Sequence, residues 1–289
     1  MMNGRVSNVQ TGTSSSRAKG AREFNYSGED FDKVRETLYR MAGIRLADSK
    51  DSLVYSRLAR RLRALRLRTF NDYLAYLAIT DSEEEHFINA LTTNLTSFFR
   101  EPHHFIELEK YLRQTPGVKT IWCAASSTGE EPYSIAMTVA QAFRSFTPPV
   151  SIIASDIDSN VLNKARRGIY PVDVTRKLSK DQCSQFLHKG RGDNRDLVRV
   201  VPELRRMVKF EQINLTHEYW PLPEQVDVIF CRNVMIYFDK STQLNILTKM
   251  VALLPENGRY FAGHSENFNT ASKIVTPLGQ TIYKPVKDN

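Results

Sequence analysis

The stretch VKTIWCAASSTGEEPYS at residues 118–134 decides the fold, because a short apolar run ends in small polar residues and then begins a helical pattern. Similar apolar runs follow, each ending at polar residues: VSIIAS at 150–155, VKFEQINL at 208–215, VDVIFC at 226–231 and GRYFAGH at 258–264. Helical stretches are predicted between them at 132–146, 160–167 and 242–254. This alternation predicts an α/β fold, with a mostly parallel sheet covered by helices on both faces. Sheets of this kind bind ligands at the carboxyl ends of their strands.

Two regions precede the α/β domain, which we assign to residues 92–289. Residues 1–24 are rich in Ser, Thr, Gly and Arg and lack an apolar period, which predicts a disordered tail. Residues 25–91 repeat apolar side chains at steps of three and four, which predicts an all-helical domain. Within the α/β domain the alternation lapses at about 175–210, where the run LVRVV at 197–201 predicts a small inserted antiparallel β-subdomain.

Composition restricts the class of protein and its partners. The 289 residues carry 40 Lys and Arg against 32 Asp and Glu, and this net charge of +8 favours an acidic partner such as nucleic acid, an anionic membrane or an acidic protein surface. No window approaches the roughly 18 apolar residues of a membrane span, and the N-terminus lacks a secretory signal, so we expect a cytoplasmic protein without membrane insertion. Three cysteines without CxxC spacing and six histidines without an HxxxH pair predict neither a disulfide framework nor a metal site.

The turn after the first predicted strand indicates what kind of ligand would bind. Only Gly129 stands where a dinucleotide-binding protein would show G-x-G-x-x-G, which argues against a pyrophosphate. Glu130 and Glu131 suit a helix N-terminus, and they would repel phosphates and attract an ammonium group. S-adenosylmethionine has a cationic amine and no phosphate. Asp156, at the end of the second strand, could bind ribose hydroxyls or could simply cap a helix.

Polar residues also end or interrupt other apolar runs. Asn214 could pair with the adenine edge while Leu215 packs against the ring, although a capping Asn is the alternative. Arg100 could hold the carboxylate of the cofactor bidentately, or it could form a structural ion pair with a helix carboxylate. Arg232 and Asn233 break a run that should be buried, which costs stability unless they have polar partners.

Five polar clusters occur in order along the chain: NLTSFFR at 94–100, STGEEPYS at 127–134, SDID at 155–158, INL at 213–215 and CRNVMIYF at 231–238. Together they resemble the chemotaxis receptor glutamate methyltransferases, the CheR family, over nearly all of the sequence beyond residue 30. The resemblance implies a Rossmann-like S-adenosylmethionine-dependent methyltransferase domain preceded by a helical domain. It also implies transfer of a methyl group to glutamate side chains of chemoreceptors, with S-adenosylhomocysteine as the product.

Taken with the residue patterns, the resemblance gives a predicted site. The predicted cofactor-binding residues are Asn94, Thr96, Arg100, Glu131, Asp156, Asn214, Leu215, Arg232 and Asn233. Tyr237 would lie beside the transferred methyl group, and with Arg100 it forms the predicted catalytic pair. Thr96 has the alternative role of capping the helix near Pro102.

The segment RLARRLRALRLR at 57–68 is the predicted substrate-facing part of the helical domain. Arg57, Arg60 and Arg61 follow i, i+3, i+4 spacing and share one helix face. Such a face is either simply solvated or matched to an acidic partner. The chain has no RNA-recognition motif, and the substrate of the family is a glutamate-bearing cytoplasmic helical bundle of chemoreceptors, so we favour an acidic helix over nucleic acid.

The insert resembles the subdomain with which CheR relatives dock a short peptide from the receptor C-terminus. LVRVV alternates like an edge strand, so Arg199 would pair with a peptide carboxylate and Gly192 would leave room for the peptide backbone. A hairpin that merely covers the sheet is the alternative. For the whole chain, which we expect to be a monomer, the rival functions are an RNA or small-molecule methyltransferase and a cofactor-sensing adaptor without turnover.

Overall fold

The computed structural model describes residues 22–286. The disordered tail predicted for 1–24 therefore lies outside the described residues except for its last three, which contact the helical domain. Arg22 donates a hydrogen bond to Asp51 at 2.7 Å, and its guanidinium lies 4.8 Å from the ring centre of Tyr55. The predicted tail was thus too long at its end, because an arginine that stacks on aromatic rings does not need an apolar period to be held in place.

The N-terminal domain is helical, as predicted. In the described chain its helices are α1 (Gly28–Ala42), α2 (Asp51–Leu65), α3 (Phe70–Ala78) and α4 (Asp81–Leu91). Ser27 and Asp30 form a capping box at the start of α1, and Gly43 ends the helix with a φ of 69°. Apolar residues three and four apart, such as Leu58 and Leu62 on α2, are fully buried in the core between the helices.

The remaining elements belong to the α/β domain. The strands are β1 (Thr120–Cys123), β2 (Ser151–Asp156), β3 (Ile169–Pro171), β4 (Leu187–Lys189), β5 (Leu197–Val200), β6 (Val208–Gln212), β7 (Val228–Cys231), β8 (Arg259–Ala262), β9 (Val275–Gly279) and β10 (Ile282–Pro285). The helices are α5 (His103–Gln114), α6 (Glu130–Phe143), α7 (Ser159–Arg167), α8 (Lys180–Phe186), α9 (Pro202–Met207) and α10 (Lys240–Ala252).

The main sheet has seven strands in the order β6-β2-β1-β7-β8-β10-β9. Strand β10 is antiparallel to β8 and β9, and the other neighbours are parallel. The chain passes from β1 to β2 and β6 on one side and then returns to β7 on the other side of β1. The topological switch point therefore lies between β1 and β7, where a ligand site is expected at the carboxyl ends of the strands.

Alternate residues of the central strands supply two separate cores. Ile121 packs on one face of the sheet among residues of α5 and α6, whereas Trp122 packs on the other face among residues of α10. This follows from the two-residue period of a strand. Because both faces are covered, the strands read as nearly continuous apolar runs.

The inserted β-subdomain is a three-stranded antiparallel sheet in the order β3-β5-β4, and it begins at Ile169. The strand β5 holds the first four residues of the LVRVV run and is the middle strand, so its assignment as an edge strand was wrong. Val198 and Val200 are buried while Arg199 is exposed. Any strand with one covered face alternates in this way, so the sequence pattern could not separate a middle strand from an edge strand.

The helical domain and the α/β domain are in direct contact. Asn214 donates a side-chain hydrogen bond to the Met41 carbonyl oxygen at 3.0 Å. At Gly43, just beyond α1, an added Cβ would lie 2.6 Å from the methyl carbon of Thr216. The two domains therefore approach closely beside the carboxyl ends of the strands. Among residues 22–286, no helix combines the length and apolar character needed to cross a bilayer.

Candidate active site

A cavity of about 300 Å³ lies at the carboxyl ends of β1, β2, β6 and β7, with residues of the helical domain forming part of its wall. This volume is at the lower end of the range for small-molecule sites. The cavity is lined by every residue of the predicted cofactor set and by Tyr237: Asn94, Thr96, Arg100, Glu131, Asp156, Asn214, Leu215, Arg232, Asn233 and Tyr237. Segments far apart in sequence thus meet at the switch point.

Asp156 ends β2 with its carboxylate almost completely buried at the cavity. One oxygen accepts a hydrogen bond from the Ser127 N–H at 2.8 Å, and the other accepts from the Asp158 N–H at 3.0 Å. Burial raises the pKa of Asp156 to about 6, because a desolvated carboxylate is disfavoured even with these donors. The helix cap proposed as its alternative role belongs instead to Asp158, which accepts from the N–H of Asn160.

The turn between β1 and α6 requires glycine at position 129. Gly129 has a φ of 101°, and an added Cβ would lie 2.7 Å from the Cβ of Ala165 and 2.8 Å from the Tyr170 hydroxyl. Helix α6 begins at Glu130, two residues earlier than predicted, with Gly129 as its N-cap residue. The turn can therefore pack tightly against α7 and the β-subdomain.

Arg232 is buried at the cavity wall and forms a network with charged residues. Its guanidinium contacts Glu131 at 2.6 Å and Glu101 at 3.1 Å, and it donates to the carbonyl oxygen of Arg100 at 2.6 Å. Burial opposes the charged form, but the two carboxylates outweigh it and raise the pKa of Arg232. The polar partners that the sequence required for Arg232 are thus present. Glu131 is neutralised within the protein, which weakens the expectation that it attracts a ligand ammonium group.

Asp158, the N-cap residue of α7, forms hydrogen bonds to the start of the NLTSFFR segment and to the preceding Thr92. Asn94 donates to a carboxylate oxygen of Asp158 at 2.8 Å, and the Thr92 hydroxyl donates to the same oxygen at 2.9 Å. Ser127 returns a hydrogen bond to the Asn94 carbonyl oxygen at 3.1 Å. Thr96 lines the cavity but does not cap α5, whose N-cap residue is Pro102.

Arg100 is flanked by two residues with positive φ, 47° at Phe99 and 57° at Glu101. Such conformations are costly for side chains larger than glycine and are concentrated at functional sites. The Arg100 guanidinium donates to the Leu95 carbonyl oxygen at 3.1 Å. Within residues 22–286 it forms no ion pair with a helix carboxylate, which was the alternative role for this residue.

Asn214 and Leu215 line the cavity after β6, but the Asn214 side chain already has protein partners. Its amide nitrogen donates to Met41, and its oxygen accepts from the N–H and the hydroxyl of Thr216 at 3.0 and 2.7 Å. One amide hydrogen remains for a ligand. Asn214 therefore links the two domains at the cavity wall, a role the sequence did not predict.

Glu266 supports the loop after β7, and the sequence analysis missed it. Its buried carboxylate accepts four backbone hydrogen bonds, from Asn233 at 2.9 Å, from Val234 and Met235 at 2.8 Å, and from Gly263 at 2.6 Å. Asn233 is held at a φ of 58°. A Cβ at position 263 would overlap the Asn233 side chain. The signal in the sequence was an acidic residue shortly after the GRYFAGH run, four positions beyond the end of β8.

Tyr237 lies in a 3-10 helix (Met235–Tyr237) that directly follows this supported turn. Its side chain is half-buried and lines the cavity. The backbone N–H of Arg45, in the helical domain, donates to the Tyr237 carbonyl oxygen at 2.8 Å. The helical domain thus contacts the segment that carries Tyr237.

The arginines of α2 are less free than the sequence suggested. Arg61 forms two hydrogen bonds to the buried Glu83, at 2.9 and 2.6 Å, and Arg57 donates to the carbonyl oxygens of Ala90 and Thr92. Arg60 is exposed, whereas Arg57 and Arg61 are half-buried. The sequence pattern could not show the pairing of Arg61 with Glu83, because the two residues are 22 positions apart.

Gly192 and Arg199 lie in the β-subdomain, outside the cavity. Gly192 begins a 3-10 helix (Gly192–Asn194) between β4 and β5 with a φ of 57°, and an added Cβ would meet no atom within 4 Å. Arg199 is exposed on β5 and donates to the Arg167 carbonyl oxygen at 3.3 Å. Neither residue lines the cavity, so any function they have is separate from it.

Glu101, His103 and His104 are the described residues whose potential metal-ligand atoms come within 4.8 Å of one another. The Arg232 guanidinium lies 3.1 Å from Glu101, and a cation there opposes a second positive charge. His104 Nε2 is 2.8 Å from the Gln280 carbonyl oxygen. Burial, followed by the charge of Arg232, lowers the pKa of His104 to about 4. These contacts give Glu101 and His104 a structural explanation.

Comparison with known proteins agrees with the five-cluster resemblance. The family description "CheR methyltransferase, SAM binding domain" matches residues 94–284, and "CheR methyltransferase, all-alpha domain" matches residues 29–92. The chain is 53% identical over 269 residues to chemotaxis protein methyltransferase 2 of Pseudomonas aeruginosa, covering 92% of this chain and 96% of the relative. It is 47% identical over 264 residues to the chemotaxis protein methyltransferase of Escherichia coli, covering 91% and 92%. Identity to the Salmonella typhimurium chemotaxis protein methyltransferase is 45% over 285 residues, covering 98% and 99%. The chain therefore belongs to the CheR family of chemotaxis methyltransferases, which bind S-adenosylmethionine.

Proposed function

We propose that this methyltransferase forms methyl esters on glutamate side chains of chemotaxis receptors, in the cytoplasm. One observation carries the proposal: all ten residues predicted for cofactor binding and catalysis line a single cavity. The chain that forms this cavity aligns with 96% of a chemotaxis protein methyltransferase. Receptor glutamates are the substrate that the resemblance implied.

The donor set of the cavity fits S-adenosylmethionine. The Asp156 carboxylate is suited to accept hydrogen bonds from ribose hydroxyls, and the Arg100 guanidinium to bind the amino-acid carboxylate. Leu215 and Ile213 supply apolar surface for the adenine ring, next to the free amide hydrogen of Asn214. The ribose, the amino-acid carboxylate and the adenine ring of the cofactor thus each have a complementary side chain in the cavity.

The protein has little acid or base work to do in this reaction. The bound cofactor supplies an electrophilic methyl group on a sulfonium. A glutamate acceptor with a pKa near 4.3 is already ionised at neutral pH, so no side chain has to remove its proton. The contribution of the chain is to orient the carboxylate and exclude water, and we assign the orienting contact to the Tyr237 hydroxyl.

The α2 face is the proposed contact for an acidic receptor helix. Because Arg57 and Arg61 have internal partners, we assign most of the attraction to Arg60. Arg60→Ala should raise the KM for receptor about two- to fivefold and flatten its salt dependence, as expected for one exposed charge. Arg68→Ala is the matched control, since Arg68 is also exposed but lies beyond the end of α2. An unchanged KM for Arg60→Ala would mean that this face is only solvated.

The β-subdomain is the proposed tether for the receptor C-terminal peptide. An added strand must pair with β4 or β3, because β5 is flanked on both sides. We favour β4, since Pro171 in β3 has no N–H to offer. Arg199 and the open space at Gly192 are the proposed side-chain and backbone contacts. Capture by an immobilised peptide should fall with Arg199→Ala and persist with Arg176→Ala, since Arg176 is also exposed but lies outside the strands.

One assay tests the proposed function as a whole. Purified protein is incubated with receptor-containing membranes, cellular RNA and methyl-labelled cofactor. The expected product is a label on receptor that is released by mild base, as a methyl ester should be. Alkali-stable label on RNA would indicate an RNA methyltransferase, and cofactor binding without any transfer would indicate a sensing adaptor.

A further inference from the structure

Two apolar side chains stand at the opening of the cavity and are not used by the cofactor assignments. Leu95 is 81% exposed and Ile236 is 51% exposed, yet both line the cavity. A residue that lines a cavity while most of its own surface is exposed must lie at the entrance. Single exposed apolar residues are common. Two at the entrance of one site, from separate segments of the chain, form a surface that an incoming molecule must pass.

Both side chains are carried on backbone that is already fixed. The Leu95 carbonyl oxygen accepts from Arg100 at 3.1 Å. On each side of Ile236, the N–H of Met235 donates to Glu266 at 2.8 Å and the Tyr237 carbonyl oxygen accepts from Arg45. Fixed positions reduce the entropy lost on contact with a partner.

The exposed charged side chains that line the cavity are cationic. Lys50 is exposed, and the Arg45 side chain is 66% exposed, although its Nε lies 3.9 Å from a carboxylate oxygen of Asp239. The carboxylates that line the cavity, Glu131 and Asp156, are buried. An occupant that carries both apolar side chains and negative charge is complementary to this entrance, whereas an apolar small molecule would leave Lys50 without an opposite charge.

We propose that Leu95 and Ile236 form an apolar rim that binds the substrate helix, packing against apolar side chains one turn before and after the acceptor glutamate. This inference rests on the proposed function, because its occupant is the glutamate-bearing helix of the receptor. Residues three and four apart on a helix share a face, so they flank an acceptor that points into the cavity. The rim would select glutamates by their apolar neighbours, while Lys50 and Arg45 attract the acidic surface.

The test uses Leu95→Ser, Ile236→Ser and the double variant of the full chain. The matched control is Ile79→Ser, because Ile79 is 84% exposed and does not line the cavity. Each rim variant should raise the KM for receptor about three- to tenfold, the loss expected for an apolar contact at an interface, and the double variant should raise it further. Calorimetric affinity for S-adenosylhomocysteine should change less than twofold. Leu95→Met should restore a normal KM, because it keeps the apolar volume.

The possible failures are distinguishable. An unchanged KM in the double variant would overturn the rim while leaving receptor methylation in place. A parallel loss of S-adenosylhomocysteine affinity would also overturn it, since the two residues would then be walls of the cofactor site. If the unsubstituted protein does not methylate receptor at all, the proposed function fails and the rim fails with it.

Discussion

Replacing Glu266 with glutamine should loosen the loop that carries Asn233 and Tyr237, although the change is nearly isosteric. Each oxygen of Glu266 accepts two backbone N–H groups. Glutamine turns one of these oxygens into a donor, so two N–H groups would face an amide nitrogen whichever way the side chain is placed. Hydrogen bonds to a charged group contribute about 1.5–3 kcal/mol each, so the variant loses about 3–6 kcal/mol before the structure relaxes.

The expected net loss in the free energy of unfolding is about 3 kcal/mol, since relaxation and water recover part of the cost. Urea unfolding followed by circular dichroism near neutral pH should show a midpoint lower by about 1 M, taking a slope of about 3 kcal/mol/M. The turnover number should also fall, because Tyr237 is no longer held. Glu256→Gln makes the same chemical change on an exposed residue and is the matched control. Equal midpoints and equal turnover for the two variants would refute the argument that the four N–H donors need a carboxylate.

Three further predictions concern the cavity. Arg100→Ala should weaken S-adenosylhomocysteine binding about ten- to a hundredfold in calorimetry. Tyr237→Phe should leave that affinity nearly intact and lower the rate of methyl transfer. The reverse result would mean that the two assigned roles must be exchanged. Burial raises the pKa of Asp156 to about 6, and the ionised carboxylate is the form that accepts hydrogen bonds from ribose hydroxyls. The affinity for S-adenosylhomocysteine should therefore be constant above pH ~7 and fall about tenfold per pH unit well below pH ~6. For folding the sign is opposite, because the folded-state pKa is raised, so this group's contribution to stability decreases as pH rises from about 4 to about 6. Gly129→Ala should lower the melting temperature and the cofactor affinity together, because its Cβ would lie 2.7 Å from that of Ala165, and a normal melting curve would contradict the packing described.

Much of the architecture follows from local sequence. The three- and four-residue spacing of Leu58 and Leu62 identified a buried helix face, and the apolar runs around Ile121 and Trp122 identified strands covered on both sides. Polar residues at strand ends, such as Asp156, marked the site, because parallel strands deliver their carboxyl ends to one edge of the sheet. These features depend on periods of two and of three to four residues, which a single sequence displays directly.

The features that could not be predicted from the sequence all depend on contacts between residues that are far apart along the chain. Arg61 looked free because Glu83 lies on another helix, and Arg199 looked like an edge residue because alternation does not record neighbouring strands. The role of Glu266 could not be predicted because its hydrogen-bond partners are backbone N–H groups, and the residue types that carry these groups do not reveal the pairing. The inward turn of Asn214 toward Met41 likewise requires knowledge of how the domains dock.

That docking restricts how the enzyme can be re-engineered. The helical domain carries the proposed receptor-facing arginine, so exchanging it between relatives is an obvious route to a new receptor preference. Yet Gly43 lies so close to Thr216 that an added Cβ would be 2.6 Å away, and the Met41 carbonyl oxygen accepts from Asn214. A transplanted helical domain that does not match these positions would move the cavity wall. Chimaeras should therefore be made with residues 213–216 and 231–238 exchanged alongside the helical domain, so that a change in receptor choice does not also remove cofactor binding.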